Sequence, residues 1–304
     1  MRFSLGGLSV EIRRSASRSA LVDDDLPVLN DRNLDYLRGC DPAELARRVE
    51  TVSLPSLEPA QPVHERLREQ GIVVVPDFID PSELDGLDDV IARLGRLRDE
   101  FAAAGWDHQE NEEYLIQNGG VRVAGYTNLA GYPKPVVQVR QGHDLGMVDV
   151  FNADRLFPEL GEVLRPRLES PALIEVLSGA GSAHQPRNLN IYLNRNIRRT
   201  RGFHVDAYAR QVKAFIYLSD VTGLGDGPYT YVAGSHRPDT YRRLNRKLAE
   251  DLPNATETPV VPLDRVIPVL GRRGSLIISD QAGFHRGFPQ DQGATRCVAV
   301  MNYK

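Results

Sequence analysis

The strongest constraint on how this chain folds is a change of periodicity near residue 188. Upstream, apolar residues recur at helical spacing; from Asn188 onward they follow strand-like runs. Residues 188–193, 212–218, 229–232, 266–269, 275–279 and 297–302 read as strands, separated by Gly, Pro, Asn and Asp clusters. One helix, about 239–251, interrupts them. Helices first and many short antiparallel strands afterwards predict a mainly β molecule: a jelly-roll or barrel with a helical buttress.

The upstream half carries explicit start and stop signals. Asp41-Pro42-Ala43-Glu44 combines a capping acid, a first-turn proline and an acid at the third position, which predicts a helix to about Thr51. Pro55, Pro59 and Pro62 mark a linker, followed by a helix over 63–70 that Gly71 ends. Residues 72–75 are a short β-branched run and predict a buried strand. Asp80, Pro81 and Glu83 open a core-packing helix through Leu84, Leu87, Val90, Ile91 and Leu94. Apolar pieces such as 136–139 punctuate a Gly-rich stretch over 105–150, and helices are expected near 154–165 and 171–179. Residues 1–40 read as polar and irregular, with a short alternating piece over 3–12. The expected division is an N-terminal arm or cap, 1–60, and a core domain, 61–304.

Charge and composition narrow the function classes. The chain has 37 basic and 41 acidic residues, a net charge of −4. That balance argues against a general nucleic-acid or membrane-surface binder. No apolar run reaches the ~18 residues a membrane span needs. The start, MRFSLGGLSVEIRRSASRS, lacks the apolar stretch of a signal peptide. Two cysteines, Cys40 and Cys297, make no disulfide framework, so a cytoplasmic location is expected.

Of the seven histidines, His64, His108, His143, His184, His204, His236 and His285, one has an informative neighbour. His204 and Asp206 stand two apart in an extended Gly-Phe-His-Val-Asp segment and so share a face. His285 follows a strand 81 residues later. Two histidines and one carboxylate on one side of a metal leave the opposite side open, as non-haem Fe(II) oxygenases need. A surface histidine beside a turn-forming acid is the plainer alternative for the pair alone. Arg296, 11 residues after His285, begins the final strand. It could clamp a carboxylate through two parallel hydrogen bonds, or sit at a rim paired with an acid such as Asp291.

These residues fall within ordered segments: GIVVVPDFIDPSEL, SPALIEVLSG, FHVD, GDGPYTYVAGSHRP, RGSLIISDQAGFHRG and TRCVAVMN. Together they resemble the phytanoyl-CoA dioxygenase-like (PhyH-type) branch of the Fe(II)/2-oxoglutarate oxygenases, over roughly residues 65–302. The resemblance implies a double-stranded β-helix, cupin-like, with helices packed on one side. It implies Fe(II) held by His204, Asp206 and His285, and Arg296 on the distal carboxylate of the co-substrate 2-oxoglutarate. Asn190 and Tyr192, on the strand before His-x-Asp, are the positional candidates for steadying that co-substrate. O2 would be the oxidant, with release of succinate and CO2 and hydroxylation of a substrate C–H bond. Desaturation, ring closure and epimerisation use the same three ligands. Asp206 argues against halogenation, in which a small residue replaces the carboxylate.

Two departures from the family pattern stand out. Gly225-Asp226-Gly227-Pro228-Tyr229 replaces a common Glu-Asn-Gly-Pro-Leu, and Gly287 stands where a serine often follows the distal histidine. His236, in a Gly-Ser-His-Arg turn, reads as structural. The expected substrate is a small molecule of a biosynthetic pathway, with an anionic group as one option, because Arg198, Arg199 and Arg201 run into the His-x-Asp segment. Residues 118–122 and 138–140, with Tyr208 and Tyr229, are further candidates for the pocket. Arg242, Arg243, Arg246 and Lys247 read as an exposed helix face, Trp106 as packing and Cys297 as a small core residue. The alternatives are a ligand-binding relative without catalysis and a cupin-like metal enzyme that needs no 2-oxoglutarate.

Overall fold

A computed structural model of the chain describes residues 2–5, 8–11, 20–119, 123, 126–179, 185–250, 252 and 254–303. His184 and residues 12, 120–122 and 251 of the segments above lie outside them. Strands β1 (Arg2–Leu5) and β2 (Leu8–Glu11) pair antiparallel. Helices α1 (Ala20–Arg38), α2 (Pro42–Glu50) and α3 (Ala60–Gln70) lead to β3 (Ile72–Val75) and α4 (Asp88–Ala103). Next come β4 (Gln109–Glu110), β5 (Leu115–Asn118), α5 (Tyr126–Ala130), β6 (Val136–Val139) and β7 (Val148–Phe151). Helices α6 (Ala153–Leu156), α7 (Pro158–Leu168) and α8 (Pro171–Gly179) precede β8 (Pro186–Arg195), β9 (Val212–Tyr217) and β10 (Tyr229–Val232). The chain closes with α9 (Thr240–Ala249), β11 (Val266–Pro268), β12 (Leu276–Asp280), β13 (His285–Gly287) and β14 (Thr295–Tyr303).

Nine strands form the major sheet, in the order β3-β12-β9-β14-β8-β7-β6-β5-β4, and three form a minor sheet, β11-β10-β13. This is the double-stranded β-helix with its helical buttress. Within the major sheet β5 and β6 pair in parallel, and the other neighbouring strands pair antiparallel.

The alternation in β14 shows how the layers are assigned. Cys297, Ala299, Met301 and Tyr303 face outward onto a core that includes Leu94, Leu160, Leu164, Leu173 and Val176 from the helices. Val298 and Val300 face inward, clustered with Phe215, Tyr217 and Ile277 of the same sheet and Tyr231 of the minor sheet. A third cluster, behind the minor sheet, joins Leu34, Leu37 and Leu45 to Phe203, Val205, Phe284 and Phe288. Each fully buried apolar side chain of this size contributes ~1.5–3 kcal/mol.

Three expectations need correction. Residues 1–40 are not irregular throughout, since α1 spans 19 of them. Pro27 and the acids at 23–25 obscure its periodicity, and the buried Leu34 and Leu37 stabilise it through tertiary contact. The expected single helix from Asp80 is a 3-10 segment, Pro81–Leu87, that passes into α4; Asp80 still caps it, accepting from Ser82 N–H at 2.9 Å. Arg242 is not exposed but buried, and donates to the carbonyls of Ser235, Ala282 and Tyr208.

Candidate metal centre and cavity

His204 and His285 are locked together by their backbones. His204 N–H donates to His285 O at 3.0 Å, and His285 N–H donates to His204 O at 2.9 Å. Phe203 and Val205 point into the third cluster, so alternation turns His204 and Asp206 inward. Asp206 N–H is held by Gln281 O at 3.1 Å. The ring centroids of the two histidines are 4.5 Å apart.

The ligand atoms converge. Asp206 Oδ1 lies 3.9 Å from His204 Nε2 and 3.5 Å from His285 Nε2. One ligand atom from each residue falls within 4.8 Å of the other two. His204 Nδ1 lies 2.9 Å from Gly202 O, and His285 Nδ1 lies 2.9 Å from Gly283 O. A carbonyl only accepts, so each Nδ1 carries a hydrogen and each Nε2 is the ring nitrogen turned to the cavity. Burial, then the fields of His285 and Arg201, holds His204 well below its ordinary range, so it is neutral near pH 7. Burial alone would raise Asp206. The Lys213 ammonium and the two imidazoles override it and hold the carboxyl well below its usual range. Lys213 Nζ donates to Asp206 Oδ2 at 2.6 Å, leaving Oδ1 to face the histidines. Two imidazole Nε2 atoms and one carboxylate oxygen are the donor set that fits a divalent iron ion with an open side.

The centre opens into a cavity of about 1160 Å³ between the two sheets. Arg296 lines it at 7% exposure, donating to Gly227 O and to Asn194 Oδ1. Among the described residues its Nε has no partner and no acid is paired with it. The rim arrangement with Asp291 is therefore corrected: Arg296 is a buried cation on the cavity wall, as a carboxylate clamp requires. A Cβ at Gly287 would stand 3.7 Å from Arg296 Nη2, an ordinary contact, so the glycine leaves room rather than relieving a clash.

Tyr192 lines the cavity. Asn190 does not; it is fully buried and its Oδ1 accepts from Asn152 N–H at 3.1 Å. Tyr229 lines the wall, its ring 5.7 Å from that of His285 and its hydroxyl 3.1 Å from Ser279 Oγ. Tyr208 instead lies beneath Arg242 and Arg246. Arg201 faces the cavity paired with Glu257 at 2.7 Å, while Arg198 reaches Gln292. Arg140 lines the cavity between Asp149 and Asp144, whereas Gln138 is bonded to Gln117. His236 is tied to Arg68 O at 3.2 Å, away from the centre. Trp106 packs edge-on against Phe101, and Cys297 is fully buried. Lys213, Asn194 and Asn302 escape the sequence reading. The parity that selects Tyr192 also selects Asn194, and a lysine inside the apolar run VKAFIY is the signal for Lys213.

The family model of phytanoyl-CoA dioxygenase (PhyH) matches residues 67–297, about three quarters of the sequence. The chain belongs to the phytanoyl-CoA dioxygenase family. It is thereby an enzyme of the non-haem iron, 2-oxoglutarate-dependent oxygenase class. A search of curated proteins finds no match. Among solved structures, the family member is similar to SnoK, a non-heme alpha ketoglutarate dependent carbocyclase from nogalamycin biosynthesis. The TM-score is 0.51 at 19% identity, covering 80% of this chain and 83% of SnoK. It is also similar to AviO1 from Streptomyces viridochromogenes Tue57, with a TM-score of 0.49 at 21% identity, covering 82% and 95% of the two chains. HygX from Streptomyces hygroscopicus, solved with nickel and 2-oxoglutarate, gives a TM-score of 0.46 at 14% identity, covering 80% and 89%. At 19% identity the likeness to SnoK speaks for the fold.

Proposed function

We propose that this PhyH-family enzyme hydroxylates a C–H bond of a small biosynthetic substrate, releasing succinate and CO2, with Fe(II) held by His204, Asp206 and His285. The observation that carries the reading is the convergence of two imidazole Nε2 atoms and one carboxylate oxygen on a cavity that also holds Arg296. When bound, iron and 2-oxoglutarate supply an oxidation of the C–H bond coupled to decarboxylation of the co-substrate.

The chain's own residues do the rest. The carbonyls of Gly202 and Gly283 fix the imidazole tautomers. Lys213 holds one oxygen of Asp206 so that the other faces the metal. Arg296, kept in place by Asn194 and Gly227, takes the distal carboxylate of 2-oxoglutarate, with Tyr192 beside it. Phe215, Tyr229 and Val298 provide apolar wall that limits water.

An anionic substrate group is favoured by the wall's cations. Arg140, Arg201, Arg210 and Lys213 each face an acid, but among the described residues Arg187 and Arg286 line the cavity without an ion pair. In this account residues 61–304 form the catalytic domain and 1–60 an accessory cap. Among the described residues no helix is long and apolar enough to cross a membrane. Two unbridged cysteines support a cytoplasmic location.

Small-molecule libraries screened for oxygen-dependent succinate release, with the product isolated under labelled dioxygen, test the reaction. Hydroxylation places one oxygen atom from O2 in the product. A turned-over product without that atom would replace hydroxylation with desaturation or another rearrangement.

A further inference from the structure

Asn302 is the last inward-facing residue of β14. It shares a face with Arg296 and Val298, lines the cavity and is only 5% exposed. Among the described residues, neither Oδ1 nor Nδ2 has a hydrogen-bond partner. Buried amides are otherwise paired, because an unpaired one gives up its bonds to water for nothing. Asn188 shows the contrast: it lines the same cavity, yet its amide donates to Ala130 O and Asn152 Oδ1.

The register locates Asn302. Lys213, which holds Asp206, is its cross-strand partner on β9. On the other side, the register shift between Met301 and Tyr303 places residues 187–188 opposite it. Arg296 lies six residues back along the same face, about 20 Å at ~3.3 Å per residue. A five-carbon co-substrate anchored at Arg296 does not extend that far. The unpaired amide therefore belongs to the other ligand of the cavity.

We propose that Asn302 is a substrate-recognition residue whose amide binds a neutral group that both donates and accepts, a hydroxyl or a carboxamide. A carboxamide side chain carries two donors, one acceptor and no charge. A carboxylate or ketone would leave Oδ1 unmet, and an ammonium would leave Nδ2 unmet. The inference rests on the oxygenase reading above and adds the class of group the substrate presents.

The test uses the full chain loaded with Fe(II) and 2-oxoglutarate without oxygen. Acetamide, ethylene glycol and acetone are titrated separately while the visible charge-transfer band and the melting temperature are recorded. Acetamide or ethylene glycol should raise the melting temperature saturably, the two arms separating carboxamide from hydroxyl; acetone should not. Asn302→Leu should keep the band, weaken the responding probe by about tenfold or more, and melt no lower than the parent when no probe is present. That last readout separates recognition from support, since loss of a structurally paired amide would lower the melting temperature. Saturation by neither probe, equal affinity in the variant, or a lower melting temperature of the unliganded variant would overturn the inference. Absence of the band in the parent would overturn the oxygenase reading and this inference with it.

Discussion

At the scale of single residues, Lys213 holds one oxygen of Asp206 and leaves the other turned to the two histidines. Nζ stands 2.6 Å from Oδ2, and the lysine is 7% exposed. Lys213→Met should weaken Fe(II) binding by about 10- to 100-fold while the circular dichroism spectrum is unchanged, since partners that orient a metal ligand carry effects of that size. In the proposed site Arg296 holds the co-substrate instead. Arg296→Met should raise the 2-oxoglutarate concentration needed to saturate the enzyme by roughly 10- to 100-fold, the worth of a charge-assisted hydrogen bond, with Fe(II) affinity little changed. Equal losses of both affinities in that variant would point to collapse of the wall. Cys297 offers a check on burial. Its thiol is fully buried and pushed up to about 12, first by desolvation, so at pH 8 the folded protein should take up iodoacetamide at Cys40 and not at Cys297. His204 and Asp206 were legible because a period of two puts neighbours-but-one on one face. Asn190 shares its parity with Tyr192, but parity assigns a face and not a partner. Asn152 N–H takes its oxygen, and nothing local in the sequence announces that contact.

At the scale of elements, the short strand that carries His285 depends on close packing at its entry. A Cβ at Gly283 would come within 1.9 Å of Tyr231 Oη, which is itself bonded to Asp280 O at 3.0 Å. Gly283 also supplies the carbonyl that orients His285. Gly283→Ala should cost about 1–3 kcal/mol in urea unfolding, the range for overpacking, and should weaken Fe(II) binding as well. The caps of α2 and α3 were readable because Asp41 and Gly71 act through local chemistry. Asp41 accepts from Ala43 N–H, and Gly71 adopts φ 76°, where a side chain would be strained. The length of α1 was not readable. Its support comes from Phe203 and Phe284, more than 150 residues away in sequence. The burial of Arg242 was hidden for the same reason: the three carbonyls that receive its guanidinium come from separate turns.

At the scale of the molecule, the two sheets enclose the cavity, and the N-terminal helices brace the minor sheet from behind. Leu34 and Leu37 lie in one cluster with Phe203, Val205 and Phe284, the residues flanking the histidines. Removing residues 1–40 should therefore destabilise the remainder by roughly 3 kcal/mol or more, the worth of two buried leucines, and should weaken metal binding. A truncated chain that melts and binds Fe(II) like the parent would show the helices to be dispensable. The order of helices and short strands pointed to a jelly-roll or barrel and the family resemblance to a double-stranded β-helix, whereas the contact of α1 with the back of the candidate metal centre arises only when the whole chain is assembled. The central claim is that His204, Asp206, His285 and Arg296 form one iron and 2-oxoglutarate site. Its most direct test is anaerobic addition of Fe(II), then 2-oxoglutarate, to the metal-free protein, with the visible charge-transfer band of the chelate recorded for the parent, His204→Ala and Arg296→Ala. A band is expected in the parent, lost without His204, and formed without Arg296 only at much higher 2-oxoglutarate. A folded parent that binds Fe(II) and yields no band would contradict it.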